Sequence, residues 1–414
     1  MLTSLLTMWL TKSTKPFLFT NQSIFEDYDN IDNLGIYVHI PFCRSLCDYC
    51  PYCKEIYKKE RALQYKNALL KEIALRCHNK RIKKVTSLYF GGGTPALLIE
   101  YLSEIITTLQ KHFDITEGIG IELHPEDITE QNLLYLKSIG ITMISIGIQS
   151  FHKQCLKSLN RKKYNYANMA KIIKKANFET VDMDLIFAMP NQTQYTLKKD
   201  IEMAFRCHAT QISTYPFIDF TFNNNQYKPL SEHKKKILLN TIVRYCNKTN
   251  KKRTSVWTFA LPDTKKYSSI TRNHFIGFGT SAVSLFCDTM HINTFSVKQY
   301  INTLHHNKQP NALTLRFTMR QKAVYYLFWH TYTLHIDKRD FKKEIGCDIE
   351  YLFRFEFCIA EKLGLIKKCP YGYTITNRGA YYYHYIEQKY TRSYIDTVWR
   401  ICKKQAFPKK IVLK

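Results

Sequence analysis

The chain has 414 residues, 45% of them hydrophobic, and its 61 Lys and Arg against 34 Asp and Glu give a formal charge of +27. That content supports one large or two medium domains with a full core, and no apolar run reaches membrane-spanning length. Lysine is spread along the whole chain, and the sharpest basic runs, Lys234-Lys235-Lys236 and Lys251-Lys252-Arg253, are short enough to be solvated faces, so nucleic acid is not the expected partner. Thirteen cysteines, mostly scattered in so large a chain and without a clear signal peptide, argue against a disulfide framework.

In chain order, Met1 to Leu10 is apolar but short, with Lys12 and Lys15 following. It resembles a weak signal or transit segment, yet the cysteine loop close behind points to a reducing, cytoplasmic location. Ile36–Ile40 reads as a strand. Directly after it, Cys43, Cys47 and Cys50 stand in the spacing C-x3-C-x2-C. Three thiolates on one short loop can hold three irons of a [4Fe–4S] cube and leave the fourth iron for a substrate. That arrangement is the signature of radical S-adenosylmethionine (SAM) chemistry. A structural zinc site is the rival reading, but it usually takes two separated pairs of ligands, and no second C-x2-C lies downstream. Incidental thiols are the other. Cys53 reads as a neighbour of the triad more than a ligand. His39 reads as a packed core histidine.

From Gly35 to about Phe217 strand-like and helix-like stretches alternate. The further strands are Val85–Phe90, Ile119–Leu123, Thr142–Ile148, Thr180–Phe187 and Gln211–Tyr215. The helices are Glu60–Cys77, Leu97–His112, Thr129–Ile139, Tyr166–Ala176 and Gln194–Cys207. This alternation predicts βαβ units and a parallel sheet. Six strands are too few for a closed eight-stranded barrel and fit a partial (β/α)6 barrel. A polar linker, Phe220 to Lys236, follows, and Ile237 to about Leu313 mixes helix and turn signals. Beyond Phe317, helices at Arg320–Thr331, Lys338–Gly346 and Ile349–Leu363, a hairpin of Leu365–Lys368 and Tyr371–Ile375, and a helix at Tyr381–Tyr390 predict a winged-helix-like, α-rich domain. The expected division is 1–34 as an N-terminal extension, 35–220 as the barrel, 221–313 as an accessory segment that completes it, and 314–414 as the C-terminal domain.

Ligands of parallel α/β folds sit at the carboxyl ends of the strands, and polar motifs recur there. Gly91-Gly92-Gly93-Thr94-Pro95 ends the second strand; three glycines exceed the needs of a βα turn and allow close backbone approach to a ligand. Glu122 ends the third and can accept from ribose hydroxyls or an ammonium. Gln149 ends the fourth. Arg161, twelve residues on, suits a carboxylate. Asp182 and Asp184 share one face of a buried strand, where each acid needs a partner.

Taken together the blocks resemble the radical SAM family of oxygen-independent coproporphyrinogen III oxidase and its relatives. They are Tyr37-Val38-His39-Ile40-Pro41-Phe42-Cys43, Gly91-Gly92-Gly93-Thr94-Pro95, Ile148-Gln149-Ser150-Phe151, Asn160-Arg161, Asp184-Leu185-Ile186 through Met189-Pro190-Asn191-Gln192-Thr193, and more loosely Phe275-Ile276-Gly277-Phe278-Gly279-Thr280-Ser281-Ala282. The resemblance implies Cys43, Cys47 and Cys50 as cluster ligands and Tyr37, Gly92 and Glu122 as contacts to the SAM that is cleaved. It implies Tyr49, Gly93, Thr94, Gln149, Arg161 and Asp184 as contacts to a second SAM. It further implies a 5′-deoxyadenosyl radical that abstracts hydrogen from a tetrapyrrole or other large organic molecule, with a reductant such as flavodoxin or ferredoxin. A two-SAM radical methyltransferase and a heme-binding chaperone that keeps the cluster and SAM site are the alternatives. Two departures set this chain apart. Pro51-Tyr52 intervenes before Cys53, where the oxidase pattern has a further cysteine one residue past the triad. The segment from Lys15 to Leu34 is unlike the oxidase's N-terminus.

Overall fold

The parallel strands are aliphatic runs buried on both faces, as a sheet covered by helices demands. In Leu34–Ile40 (β1), Leu34, Ile36, Val38 and Ile40 are all buried. The next strands are Ser87–Gly92 (β2), Ile119–Leu123 (β3), Ile141–Gln149 (β4), Thr180–Phe187 (β5) and Gln211–Pro216 (β6). They lie side by side in sequence order, all parallel, with helices Lys59–Arg76, Ile99–Gln110, Glu130–Ser138, Tyr166–Ala176 and Gln194–Arg206 in the connections. This is the partial (β/α)6 barrel expected. The computed structural model describes residues 2–13, 16–22, 28–77, 82–222, 226–265, 273–286 and 288–413. Lys15 and parts of the Lys15–Leu34 and Phe220–Lys236 stretches fall outside them.

The sheet is larger than the six strands predicted. His274–Phe278 (β7) joins parallel to β1 on its other side, and Val283–Phe286, Thr289–Asn293 and Asn311–Arg316 extend it antiparallel. Phe17–Thr20 and Lys410–Leu413 close that edge, so the two ends of the chain are neighbours in a sheet of 14 strands. On the far edge Thr258–Ala260 and Lys252–Arg253 follow β6. The segment read as mixed helix and turn thus also holds several short strands, alongside the helices Glu232–Lys248 and Val297–His305. The Phe220–Lys236 linker also ends earlier than expected, because Ser231 caps a helix over Glu232–Lys248.

One buried carboxylate welds the added strands to the barrel. Glu72, on the first crossover helix, is fully buried and accepts from Arg76 (3.1 Å), the Gly279 amide (2.7 Å), Asn293 Nδ2 (2.7 Å) and the Tyr300 hydroxyl (2.6 Å). Four donors on one carboxylate satisfy it where water cannot reach.

The C-terminal helices are Met319–Tyr332, Lys338–Ile345 and Ile349–Lys362, with a three-stranded sheet of His335–Asp337, Ile366–Cys369 and Gly372–Ile375. Phe341, Phe353, Ile336 and Tyr373 form part of a small separate core there. The helix Asn377–Tyr394 then runs back against the barrel, with His384 Nδ1 accepting from Trp257 Nε1 at 2.9 Å. Leu2–Thr11 is a helix tied to this part of the chain by Thr7 and Tyr390 and by Arg320 Nε, which donates to the Leu10 carbonyl at 2.6 Å. The two basic runs are more than solvated faces. Lys235 is buried against Glu232 and Gln388, and Arg253 donates to the Ser255 and Val256 carbonyls. Among the described residues no helix is long and apolar enough to cross a membrane.

Candidate functional site

The cysteine loop leaves β1 and pairs briefly with Glu55–Ile56, then is pinned at several points. Lys54 Nζ donates to the Cys47 and Cys50 carbonyls, the latter at 2.9 Å. Arg44 pairs with Asp127, which is 1% exposed at the end of β3. Cys43, Cys47 and Cys50 are unpaired, half-buried thiols facing one cavity of about 1100 Å³. Burial and the two neighbouring thiols push Cys43 up to about 12; a cationic iron reverses that balance and favours thiolate. No three His, Cys, Asp or Glu side chains converge on one ion among the described residues. A cube spreads its ligands over separate irons, and three free thiols on one pinned loop suit that group in donor type and placement. Cys53 is buried and does not line this cavity; its thiol donates to the Phe295 carbonyl at 3.1 Å.

The glycine motif is packed against this loop. A methyl on Gly93 would stand 2.5 Å from the Phe42 carbonyl and 2.8 Å from Cys43 Sγ. Gly92 has φ +119°, and a methyl there would meet His39 and the Ile40 carbonyl at 2.7 Å. The amides of Gly92, Gly93 and Thr94 donate to Glu122, Ile40 and Phe42. These N–H groups are therefore spent inside the chain, and what the glycines chiefly provide is room. Glu122 accepts from the Tyr89 hydroxyl at 2.8 Å and the Gly92 amide at 3.0 Å, while burial holds its carboxyl above the usual range. Tyr37 stacks on Tyr89 at 6.1 Å, and its hydroxyl bonds His39 Nδ1 at 2.9 Å. His39 Nε2 meets the Cys53 carbonyl at 3.1 Å, so both ring nitrogens are engaged and burial holds the ring neutral, at about 4.

Across β4 to β6 a polar row faces the same cavity. Ser145 donates to Asp184 at 3.0 Å and Ser213 to Asp182 at 2.7 Å, while burial raises both acids. A bulge opposite Asp184 and Leu185 skips Ile148 and leaves Gln149 at φ +67°, the kind of irregularity that re-aims a side chain at a strand end. A methyl on Gly147 would lie 3.0 Å from the Gln149 amide and 3.8 Å from Arg161 Nη1. Asn160, at φ +55°, turns the chain so that Arg161 enters the cavity, where Nη1 donates to the Tyr49 hydroxyl at 3.4 Å and Nη2 is buried without a partner among the described residues. Cys43, Cys47, Cys50, Tyr49, Gly92, Gly93, Thr94, Glu122, Gln149, Arg161 and Asp184 thus line one cavity. Tyr37 lines the neighbouring one.

That second chamber, of about 890 Å³, is walled mainly by apolar side chains of the Leu2–Thr11 helix, the sheet edge and the C-terminal helices. The two share Tyr52, Gly92, Glu122, Trp329 and Thr391. Tyr52 projects between them, 51% exposed, with its ring 5.6 Å from that of Trp399. Sequence reasoning flagged Pro51-Tyr52 only as a departure, and it missed Arg44, Lys54 and Asp127, whose signal is an alternation of charge around the loop. It also missed Asp200, which caps the turn after Gln149 by accepting from Ser150 Oγ (2.8 Å) and the Phe151 amide (2.7 Å).

A cysteine triad at the carboxyl end of the first strand of a partial barrel, with strand-end carboxylates beside it, is the layout of radical SAM proteins. Residues 37–204 match the Radical SAM superfamily, and the chain carries a radical SAM domain. That family uses a [4Fe–4S] cluster and SAM. Its homologues are heme chaperones and oxygen-independent coproporphyrinogen III oxidases. It is 28% identical over 294 residues to the heme chaperone HemW of Lactococcus lactis, covering 67% of this chain and 76% of that protein. Against the oxygen-independent coproporphyrinogen III oxidase of Salmonella typhimurium it is 27% identical over 363 residues, 80% of this chain and 74% of the relative. The solved coproporphyrinogen III oxidase HemN of Escherichia coli shares the fold, with a TM-score of 0.78 at 21% identity over 92% of this chain and 97% of that one.

Proposed function

We propose that the protein is a radical SAM enzyme acting on a tetrapyrrole of the coproporphyrinogen kind. The observation that carries this is the pair of adjoining chambers, one polar and bearing the triad, the other large and apolar, meeting at Glu122, Gly92 and Tyr52. Cys43, Cys47 and Cys50 would hold a [4Fe–4S] cluster, which with SAM bound would supply the one-electron reduction that yields a 5′-deoxyadenosyl radical. The chain's own share is to bind, orient and exclude water. Tyr37, Gly92 and Glu122 hold the SAM that is cleaved, with Glu122 fixed in place by Tyr89. Arg161, whose Nη2 lacks a partner among the described residues, takes a carboxylate, and Tyr49, Gly93, Thr94, Gln149 and Asp184 complete the room for a second SAM. The apolar chamber takes the body of the substrate, part of which reaches past Tyr52 and Thr391 into the triad's chamber, beside the first SAM. A one-electron reductant such as flavodoxin or ferredoxin completes the cycle.

Anaerobic reconstitution, then incubation with SAM and dithionite, tests the reading. It expects 5′-deoxyadenosine, formed faster with coproporphyrinogen III; no 5′-deoxyadenosine under either condition sinks it. Carbon dioxide release marks decarboxylation, and S-adenosylhomocysteine marks methyl transfer. A second reading, a heme-binding chaperone, is favoured by Tyr52 standing where the oxidase pattern has a cysteine and by the likeness to HemW. Both nitrogens of His39 are engaged, so on that reading haem is held by another residue. Visible titration with haem separates the two.

A further inference from the structure

Glu387, on the helix Asn377–Tyr394, is 7% exposed and lines the cavity that holds the triad. Its Oε1 accepts from the Thr391 hydroxyl at 2.6 Å, while Oε2 is buried with no partner among the described residues. Leaving a buried acceptor unsatisfied is costly, more so when it is charged. Among the described residues no lysine or arginine acts on it: burial pushes the carboxyl up to about 7, and only the Thr391 bond works the other way. The titratable groups that face it are Tyr52 of the cysteine loop, Tyr332 of the helix Met319–Tyr332, and Tyr383 one turn earlier on its own helix. None of them donates to Oε2.

We propose that Glu387 is the residue by which the C-terminal helix grips the substrate, Oε2 accepting a hydrogen bond from an N–H group that the substrate presents. This rests on the tetrapyrrole reading and sharpens it. A metal-free porphyrinogen carries pyrrole N–H groups, whereas the four nitrogens of haem are spent on iron. The orphan acceptor therefore selects the metal-free ring.

The test uses the reconstituted full chain, as wild type, E387Q and E387A, titrated anaerobically with coproporphyrinogen III, haem and SAM, with circular dichroism to confirm folding. E387A is expected to bind the porphyrinogen at least about tenfold more weakly while binding haem and SAM as wild type does. E387Q, which keeps an acceptor oxygen, is expected to retain most of the affinity. Unchanged porphyrinogen affinity in E387A, an equal loss for haem and SAM, or no porphyrinogen binding by wild type overturns the proposal. If wild type still forms 5′-deoxyadenosine in those cases, the radical SAM reading stands and this inference alone fails.

Discussion

The Gly92 amide donates to Glu122 Oε2 at 3.0 Å, tying the end of β2 to the end of β3 where the two chambers meet. Tyr89 holds the other oxygen at 2.8 Å, so the carboxylate is oriented before any ligand arrives. Glu122→Gln keeps the shape and removes the charge. A charge-assisted hydrogen bond is worth about 1.5–3 kcal/mol, so SAM affinity is expected to fall about tenfold or more with folding intact. Equilibrium dialysis of the reconstituted variant measures this, and wild-type affinity would remove Glu122 from the SAM site.

The fourth cysteine of the region separates cluster ligands from bystanders. Replacing Cys43, Cys47 or Cys50 by Ala is expected to abolish iron retention and SAM cleavage. Cys53→Ala removes only a buried thiol and its bond to Phe295, so iron content should match wild type at a stability cost of about 1–2 kcal/mol. Iron and sulfide analysis decides; loss of the cluster in Cys53→Ala would make that thiol a ligand.

Gly93→Ala tests the close packing of the glycine motif on the loop. The added methyl meets backbone at 2.5 Å and the Cys43 sulfur at 2.8 Å, and neither is the loose end of a flexible side chain. Overpacking of this sort costs typically about 1–3 kcal/mol, and here the strain falls on a proposed ligand. Iron incorporation is expected to drop before secondary structure does. A variant with full iron content would show that the loop can move aside.

The barrel and the triad were legible because each is a local pattern: apolar runs alternating with amphipathic ones, and thiols at fixed spacing. Local signals also revealed the strand-end residues, since Glu122 and Gln149 each close a β-branched run. What escaped notice is non-local. β7 is five residues long and finds its partner β1 more than 230 positions away, so only the Phe275-Ile276-Gly277-Phe278 pattern hinted at it. Phe17–Thr20 is too short to stand out and is a strand because Lys410–Leu413 and Asn311–Arg316 flank it. Glu387 gave no signal either: on a Tyr-rich helix an acid reads as solvated, and only the packing of that helix buries it.

Glu72 offers a test of how the added strands are held. Its four donors come from its own helix, the β7 turn, the strand Thr289–Asn293 and the helix Val297–His305. Glu72→Ala leaves Arg76 buried without its acid, and breaking a buried pair this way costs about 3–5 kcal/mol. A large fall in urea midpoint is expected. A change under about 1 kcal/mol would mean that the aliphatic contacts of β7 suffice.

Buried carboxyls also set the pH dependence of the apo protein. Burial raises Glu387 from its ordinary value of 4.5 to about 7, so the folded chain holds a proton that the unfolded chain has released. Between pH 4.5 and about 7 the unfolded state binds fewer protons, and stability falls as pH rises. At about 1.36 kcal/mol per unit, this group accounts for roughly 3 kcal/mol over that window. Asp200, raised to about 6 by burial, adds to the same slope. Asp337 works oppositely: its bond with Arg339 lowers it to about 2, so its contribution is present above about pH 4 and lost as pH falls through 2. In Glu387→Gln the decline from pH 4.5 to 7 should flatten, because one of the titrating groups is gone. Urea unfolding at half-unit pH steps measures both curves, and parallel slopes in the two proteins would mean that Glu387 ionises in the fold at its ordinary pKa.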